Sequence, residues 1–248
     1  MKILFFDMEF ANGKVPGSVY SLGYVQTNHR FQLTEPQTDL LMNPDCEWNA
    51  YVRTHILAYP MKTVKSAALF PSYYKRLKRL LCHADLVVGF AVKNDTVALR
   101  RACERYNLKP LDFQCLDMEK LCKAFGDYPQ AHGLSGYVRA YCGIEPENQH
   151  RSDGDAYATM LLLKAVCEKH DLCPKKIKAL YESHMISSMT LPTPKVKKKN
   201  YGREEASAAP TQAEEAKKPA YRKKYWNPTK RRGGGSNVSK EKKSATKA

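Results

Sequence analysis

Two carboxylates spaced two apart, Asp7 and Glu9, close the apolar run Ile3 to Phe6 near the start of the chain. Residues i and i+2 of a strand point to one face, so at the exit of a buried strand both carboxylates can reach a single site. The crevice beyond strand ends is where open α/β sheets bind ligands, and paired carboxylates there suit a divalent cation. A lone Asp-x-Glu is a frequent pattern and gains weight only from partners. Asp95 follows the apolar Leu86-Val87-Val88-Gly89 at the start of a helical pattern, where its alternative role is a first-turn acid complementing the helix dipole. Asp155 stands near the start of another helical pattern, in His150-Arg151-Ser152-Asp153-Gly154-Asp155-Ala156, where Asp153 competes for the capping role. His150 precedes Asp155 by five positions, on the loop leading into that helix.

The elements that must position these groups can be read from hydrophobic periodicity. Residues 2 to 6 suit a central strand buried on both faces, followed by polar and turn residues through Pro16-Gly17. Ser18 to Gln26 and Thr38 to Met42 read as two further strands, the latter stopped by Asn43-Pro44. Ser72 to Ala84 carries Tyr73, Leu77, Leu80 and Leu81 on one side and basic residues on the other, the pattern of an amphipathic helix. A short strand over Asp85 to Gly89, a helix over Asp95 to Tyr106 and a strand over Leu111 to Leu116 follow. Helices are then expected at about Met118 to Phe125, Leu134 to Tyr141, Asp153 to Lys169 and Pro174 to Ser183. Strands first paired, then alternating with helices, argue for an α/β fold with a mixed sheet flanked by helices.

The order and context of the acids resemble a known family. Asp7-Met8-Glu9 closing the first strand, Gly89 to Asp95 after Leu86-Val87-Val88, and His150 ahead of Asp155-Ala156 look like the three motifs of the DEDDh exonuclease superfamily. That group includes the proofreading epsilon-type subunit of bacterial DNA polymerase III. Met42-Asn43-Pro44 and Leu134 through Tyr141-Cys142-Gly143-Ile144 are similar to stretches between the family's motifs, and the resemblance covers about residues 1 to 170. The sequence departs from the pattern in three places. Phe10 stands where the family usually has Thr, Gly89-Phe90-Ala91 replaces Gly-His-Asn, and Asn94 replaces the Phe before the second motif acid. These departures bear on recognition of the terminal nucleotide more than on metal chemistry.

The resemblance implies a ribonuclease H-like fold with a five-stranded mixed sheet, and a catalytic set of Asp7, Glu9, Asp95, His150 and Asp155. It implies two Mg2+ or Mn2+ ions: Asp7 would bridge both, Glu9 and Asp155 would complete one sphere, and Asp95 would act largely through water on the other. Hard oxygen donors suit those cations, which activate water and clamp an in-line displacement at phosphorus. His150 would be the general base, since an imidazole of pKa about 6.5 accepts a proton at neutral pH. The implied reaction is stepwise hydrolysis from a 3′ end, releasing nucleoside 5′-monophosphates from single-stranded DNA. RNA ends are the alternative substrate. A silent nucleic-acid binding protein of the same fold is the reading from another class, opposed by the retention of all four carboxylates, which repel one another without metal. Phe10 beside the site offers a face on which a terminal base can stack, with hydrophobic packing as its plain alternative.

The 248 residues carry a net charge of +16, of which residues 195 to 248 hold +12 and the rest only +4. This divides the chain into an exonuclease domain over 1–186 and a Lys/Arg-rich tail over 187–248 whose composition predicts disorder. Lys197, Lys198, Lys199, Arg222, Lys223, Lys224, Arg231 and Arg232 can neutralise phosphates, and Tyr225 and Trp226 among them can stack on unpaired bases. Nucleic acid is therefore the expected partner, with a polymerase or another replication or repair protein as a further one. Apolar runs far shorter than the roughly 18 residues of a membrane span argue against a membrane protein. Scattered cysteines without zinc-ligand spacing argue against structural zinc and for a reducing, cytoplasmic setting.

Overall fold

The computed structural model describes residues 1–146 and 151–190. The described residues form a six-stranded mixed sheet of order β3-β2-β1-β4-β5-β6. The strands are β1 (Lys2–Phe10), β2 (Val19–Asn28), β3 (Thr38–Leu41), β4 (Leu86–Gly89), β5 (Gln114–Asp117) and β6 (Met185–Ser187). The helices are α1 (Met61–Ser66), α2 (Phe70–Cys82), α3 (Lys93–Arg105), α4 (Met118–Phe125), α5 (Gly133–Cys142), α6 (Ser152–Lys169) and α7 (Pro174–Leu180). β1, β2 and β3 pair antiparallel, while β4 and β5 continue the sheet parallel to β1.

The expected five strands become six. β6 adds antiparallel to β5, and Ser188 just beyond it bonds the backbone of Phe113 and Leu111. A three-residue strand has too few alternating positions to announce itself by periodicity. The stretch between β3 and α2 also carried no periodic signal. It folds into a π-helical turn over Val52–Ile56 and the short α1, packing Trp48, Val52, Leu57 and Tyr59 around Tyr20, Ala11 and Val64.

β1 is central because its apolar run satisfies two layers at once. Leu4, Phe6 and Met8 face the layer of α2 and α3, whereas Ile3 and Phe5 face that of α4 to α7. Full burial of each such side chain contributes about 1.5–3 kcal/mol relative to exposure. α6 is buried on most sides, which explains why its middle, Ala156 to Cys167, is largely apolar. None of the described helices is long and apolar enough to cross a membrane.

Candidate active site

The sequence places Asp7 and Glu9 at a strand exit, but they lie inside β1, which runs to Phe10. Pairing with β2 carries the strand on, while pairing with β4 stops at Phe5. Asp7 and Glu9 therefore overhang the end of β4, in the open crevice where the parallel part of the sheet ends. Their spacing puts both on the face that carries Ile3 and Phe5, beneath α6.

Cross-strand register explains how α6 reaches them. Asp7 lies opposite Gly23 on β2, and Gly23 lies opposite Asp39 on β3, forming one row across the sheet. Gly23 leaves a gap in that row, filled by the first turn of α6. A Cβ at Gly23 would stand 1.9 Å from the backbone nitrogen of Asp153. The helix thus delivers Asp155 to Asp7 and Glu9, and carboxylate oxygens of the three residues lie within 4.8 Å of one another. The positive end of the helix dipole also favours acids in this first turn, where Asp153 and Asp155 both stand. Asp153 is held by Arg151 at 3.2 Å and by Gln37 at 3.0 Å.

The fourth acid, Asp95, sits in the first turn of α3, buried to 7% exposure and making no capping bond. Its helix begins after a turn in which Ala91 adopts φ 53°, a left-handed conformation unusual for a residue with a Cβ. The Ala91 N–H donates to Asp117 Oδ1 at 3.0 Å, and the same oxygen accepts from Glu119 N at the start of α4. Asp117 thereby pins the turn that presents Asp95.

Burial and crowding raise the proton affinity of Asp7, Glu9 and Asp95. Asp7 is held well above the usual carboxylate range, first by burial and then by Asp95, Asp155, Glu9 and Asp39. Burial and the charges of Asp155, Asp95 and Asp39 push Glu9 up to about 8. Asp95 rises to about 7 through burial and the neighbouring Asp117. Like charges of this kind are relieved by a cation, for which carboxylate oxygens are suitable ligands.

Phe10 packs against the α2–α3 layer and lines a groove of about 490 Å³ whose wall includes Lys93, Asn94 and Arg101. His150 and the tail residues Lys197, Lys198, Lys199, Arg222, Lys223, Lys224, Tyr225, Trp226, Arg231 and Arg232 lie outside the described residues. Asp39, Tyr59 and Asp117 are neighbours of the acids that no motif spacing marks. Only pairing register and the fold of residues 43 to 69 bring the first two there.

Replacing Gly23 by Ala is expected to displace the first turn of α6, because the obstructing atoms are backbone. A loss of about 2 kcal/mol or more and a weakened Mn2+-dependent rise in melting temperature should result. An Ala variant with the wild-type metal response would contradict this account of how Asp155 is placed.

No family model and no curated protein matches the chain. Solved structures do. E. coli exonuclease I in complex with a dA16 oligonucleotide aligns with a TM-score of 0.57 at 16% identity, over 73% of this chain and 43% of that one. The zinc-bound complex of the same enzyme with single-stranded DNA gives 0.57 at 17% identity, over 73% and 43%. A 3′-exonuclease described in specific recognition of the histone mRNA stem-loop gives 0.53 at 12% identity, over 68% of this chain and 82% of that one.

The chain has the ribonuclease H-like fold of these exonucleases.

It spans less than half the length of exonuclease I, 43% in the dA16 complex. Within the ribonuclease H-like fold, Asp7, Glu9 and Asp155 converge at the end of the parallel strands, and Asp95 approaches closely enough to shift two of them.

Proposed function

We propose that the protein is a metal-dependent 3′–5′ exonuclease that hydrolyses single-stranded DNA ends to nucleoside 5′-monophosphates. The observation that carries this reading is the convergence of Asp7, Glu9 and Asp155 within 4.8 Å beneath one helix N-terminus. Their donors are all carboxylate oxygens, which fits Mg2+ or Mn2+ better than softer metals. When bound, two such cations would neutralise phosphate charge and lower the cost of generating hydroxide.

The chain's own groups divide the remaining work. Asp7, Glu9 and Asp155 would hold one cation, and Asp7 with Asp95 the other. His150, two residues ahead of α6 in the sequence, would accept the proton of the attacking water. Phe10 offers a face for the terminal base, and Lys93 and Arg101 along the same groove would meet phosphates. Tail residues Lys197 to Lys199, Arg222 to Lys224, Arg231 and Arg232 would extend that contact without reading sequence. All eight cysteines are free thiols, which suits a reducing cytoplasmic setting.

RNA ends are the second reading, favoured by the extent of the 3′-exonuclease match, which takes in 82% of that chain. Digestion of 5′-labelled single-stranded DNA and RNA oligonucleotides with Mg2+ or Mn2+, beside an Asp7→Ala control, decides between them. A descending ladder from wild type alone is expected, faster on the true sugar. No ladder on either substrate would remove the enzyme reading.

A further inference from the structure

Asp39 belongs to no motif, yet it gathers hydroxyls from three separate parts of the chain. Ser21 on β2 donates to Asp39 Oδ1 at 2.5 Å, and Ser152, the first residue of α6, donates to the same oxygen at 3.1 Å. Tyr59, from the segment between β3 and α2, donates to Oδ2. Ser21 is the cross-strand partner of Glu9, and Ser152 precedes Asp155 by three residues on the same helix. Both serines are fully buried, and their hydroxyls are in direct contact. Each oxygen of Asp39 is engaged by a hydroxyl, and Asp39 neighbours Asp7 and Glu9 without belonging to the group of Asp7, Glu9 and Asp155 whose oxygens lie within 4.8 Å of one another.

We propose that Asp39 is a positioning residue that fixes the distance between Glu9 on the sheet and Asp155 on α6, with Tyr59 locking its carboxylate in place. It acts through the two serines and does not touch the cation. Tyr59 is itself steadied by Arg151, whose guanidinium lies 5.4 Å from its ring centroid and pairs with Asp153. This ties the segment between β3 and α2 to the start of α6. Outer groups that orient carboxylate ligands commonly set metal affinity by roughly ten- to a hundredfold.

The inference rests on the metal-dependent reading above, and a binding experiment separates the two. Mn2+ affinity is measured by electron paramagnetic resonance of the free ion for wild type, Asp39→Ala, Asp39→Asn and Tyr59→Phe. Melting in EDTA accompanies each titration to show that the variant is folded. Asp39→Ala is expected to bind Mn2+ roughly tenfold or more weakly. Asp39→Asn, which keeps an oxygen for the serines, should recover part of that loss, and Tyr59→Phe should show a smaller one. If Asp39→Ala does not fold, the other two variants carry the test. Folded variants that all bind Mn2+ within twofold of wild type would overturn the positioning role and leave the nuclease reading intact. A wild-type protein that takes up no Mn2+ would remove both.

Discussion

Asp7→Asn protein is expected to melt above wild type at pH 8 in EDTA while cleaving nucleic acid at least about a thousandfold more slowly. Both effects come from one carboxylate. Asp7 is half-buried beside Asp95, Asp155, Glu9 and Asp39, so ionising it in the metal-free fold opposes desolvation and four like charges at once. An amide of the same shape removes that opposition, and the gain should be of the order of 1–3 kcal/mol, several degrees for a domain of this size. The same amide is a poor ligand for a hard cation, so several kcal/mol of charge stabilisation at the phosphate is lost. Thermal melts in EDTA and with Mn2+, together with single-turnover cleavage, report the two halves. A variant that melts below wild type in EDTA at pH 8 and retains cleavage would show that Asp7 has been assigned to the wrong site. The stability advantage should shrink as pH falls and the Asp7 carboxyl, its proton affinity raised in the fold, takes up a proton in both folded and unfolded chains.

Metal-free wild type should itself lose stability as pH rises from about 4.5 to about 8, and Mg2+ or Mn2+ should restore it most at the alkaline end. Glu9 goes from an ordinary value of 4.5 to about 8 in the fold, and Asp95 from 3.8 to about 7. A pKa raised in the native state means that the folded chain binds more protons across this interval, so unfolding becomes easier as pH climbs through it. The stabilisation is complete below the unfolded values and gone once both folded values have been passed. Discounting for the partial solvation of Glu9, the fall should be of the order of 2 kcal/mol, or roughly 4–8 °C in melting temperature. A cation takes the place of the protons, so the curve with saturating Mn2+ should be flat or rise over the same range. Glu9→Gln should flatten the metal-free curve. Melting temperatures recorded every half pH unit, with and without metal, check this. A metal-free curve that rises toward pH 8 would contradict the crowded-acid description.

Asp7 and Glu9 were legible because β1 makes the local pattern do two jobs. Its run of Ile3 to Phe6 must be apolar to lie between two helical layers, and the sudden change to alternating acids marks where that burial ends. Asp95 and Asp155 were legible through their place in the first turn of helices that follow recognisable signals. Even the length of α6 could be read, since a helix buried on most sides has little polar sequence to interrupt it. The sixth strand could not be read from Met185–Ser187, where three half-buried residues are specified by the edge of β5 they meet.

The sequence by itself determined the chemical types of the candidate site residues, their order along the chain and the strand and helix ends that bear them, because those follow from side-chain identity and local periodicity. Only the tertiary structure decided which acids meet and what surrounds them. The row Asp7, Gly23 and Asp39 exists through strand register, a relation between residues sixteen positions apart at each step. Gly23 lies within β2, and in the fold it is the opening through which α6 seats Asp155. Asp39, Tyr59 and Asp117 acquire their roles from hydrogen bonds to distant segments, and no local propensity encodes a partner that the chain brings near only when its layers close.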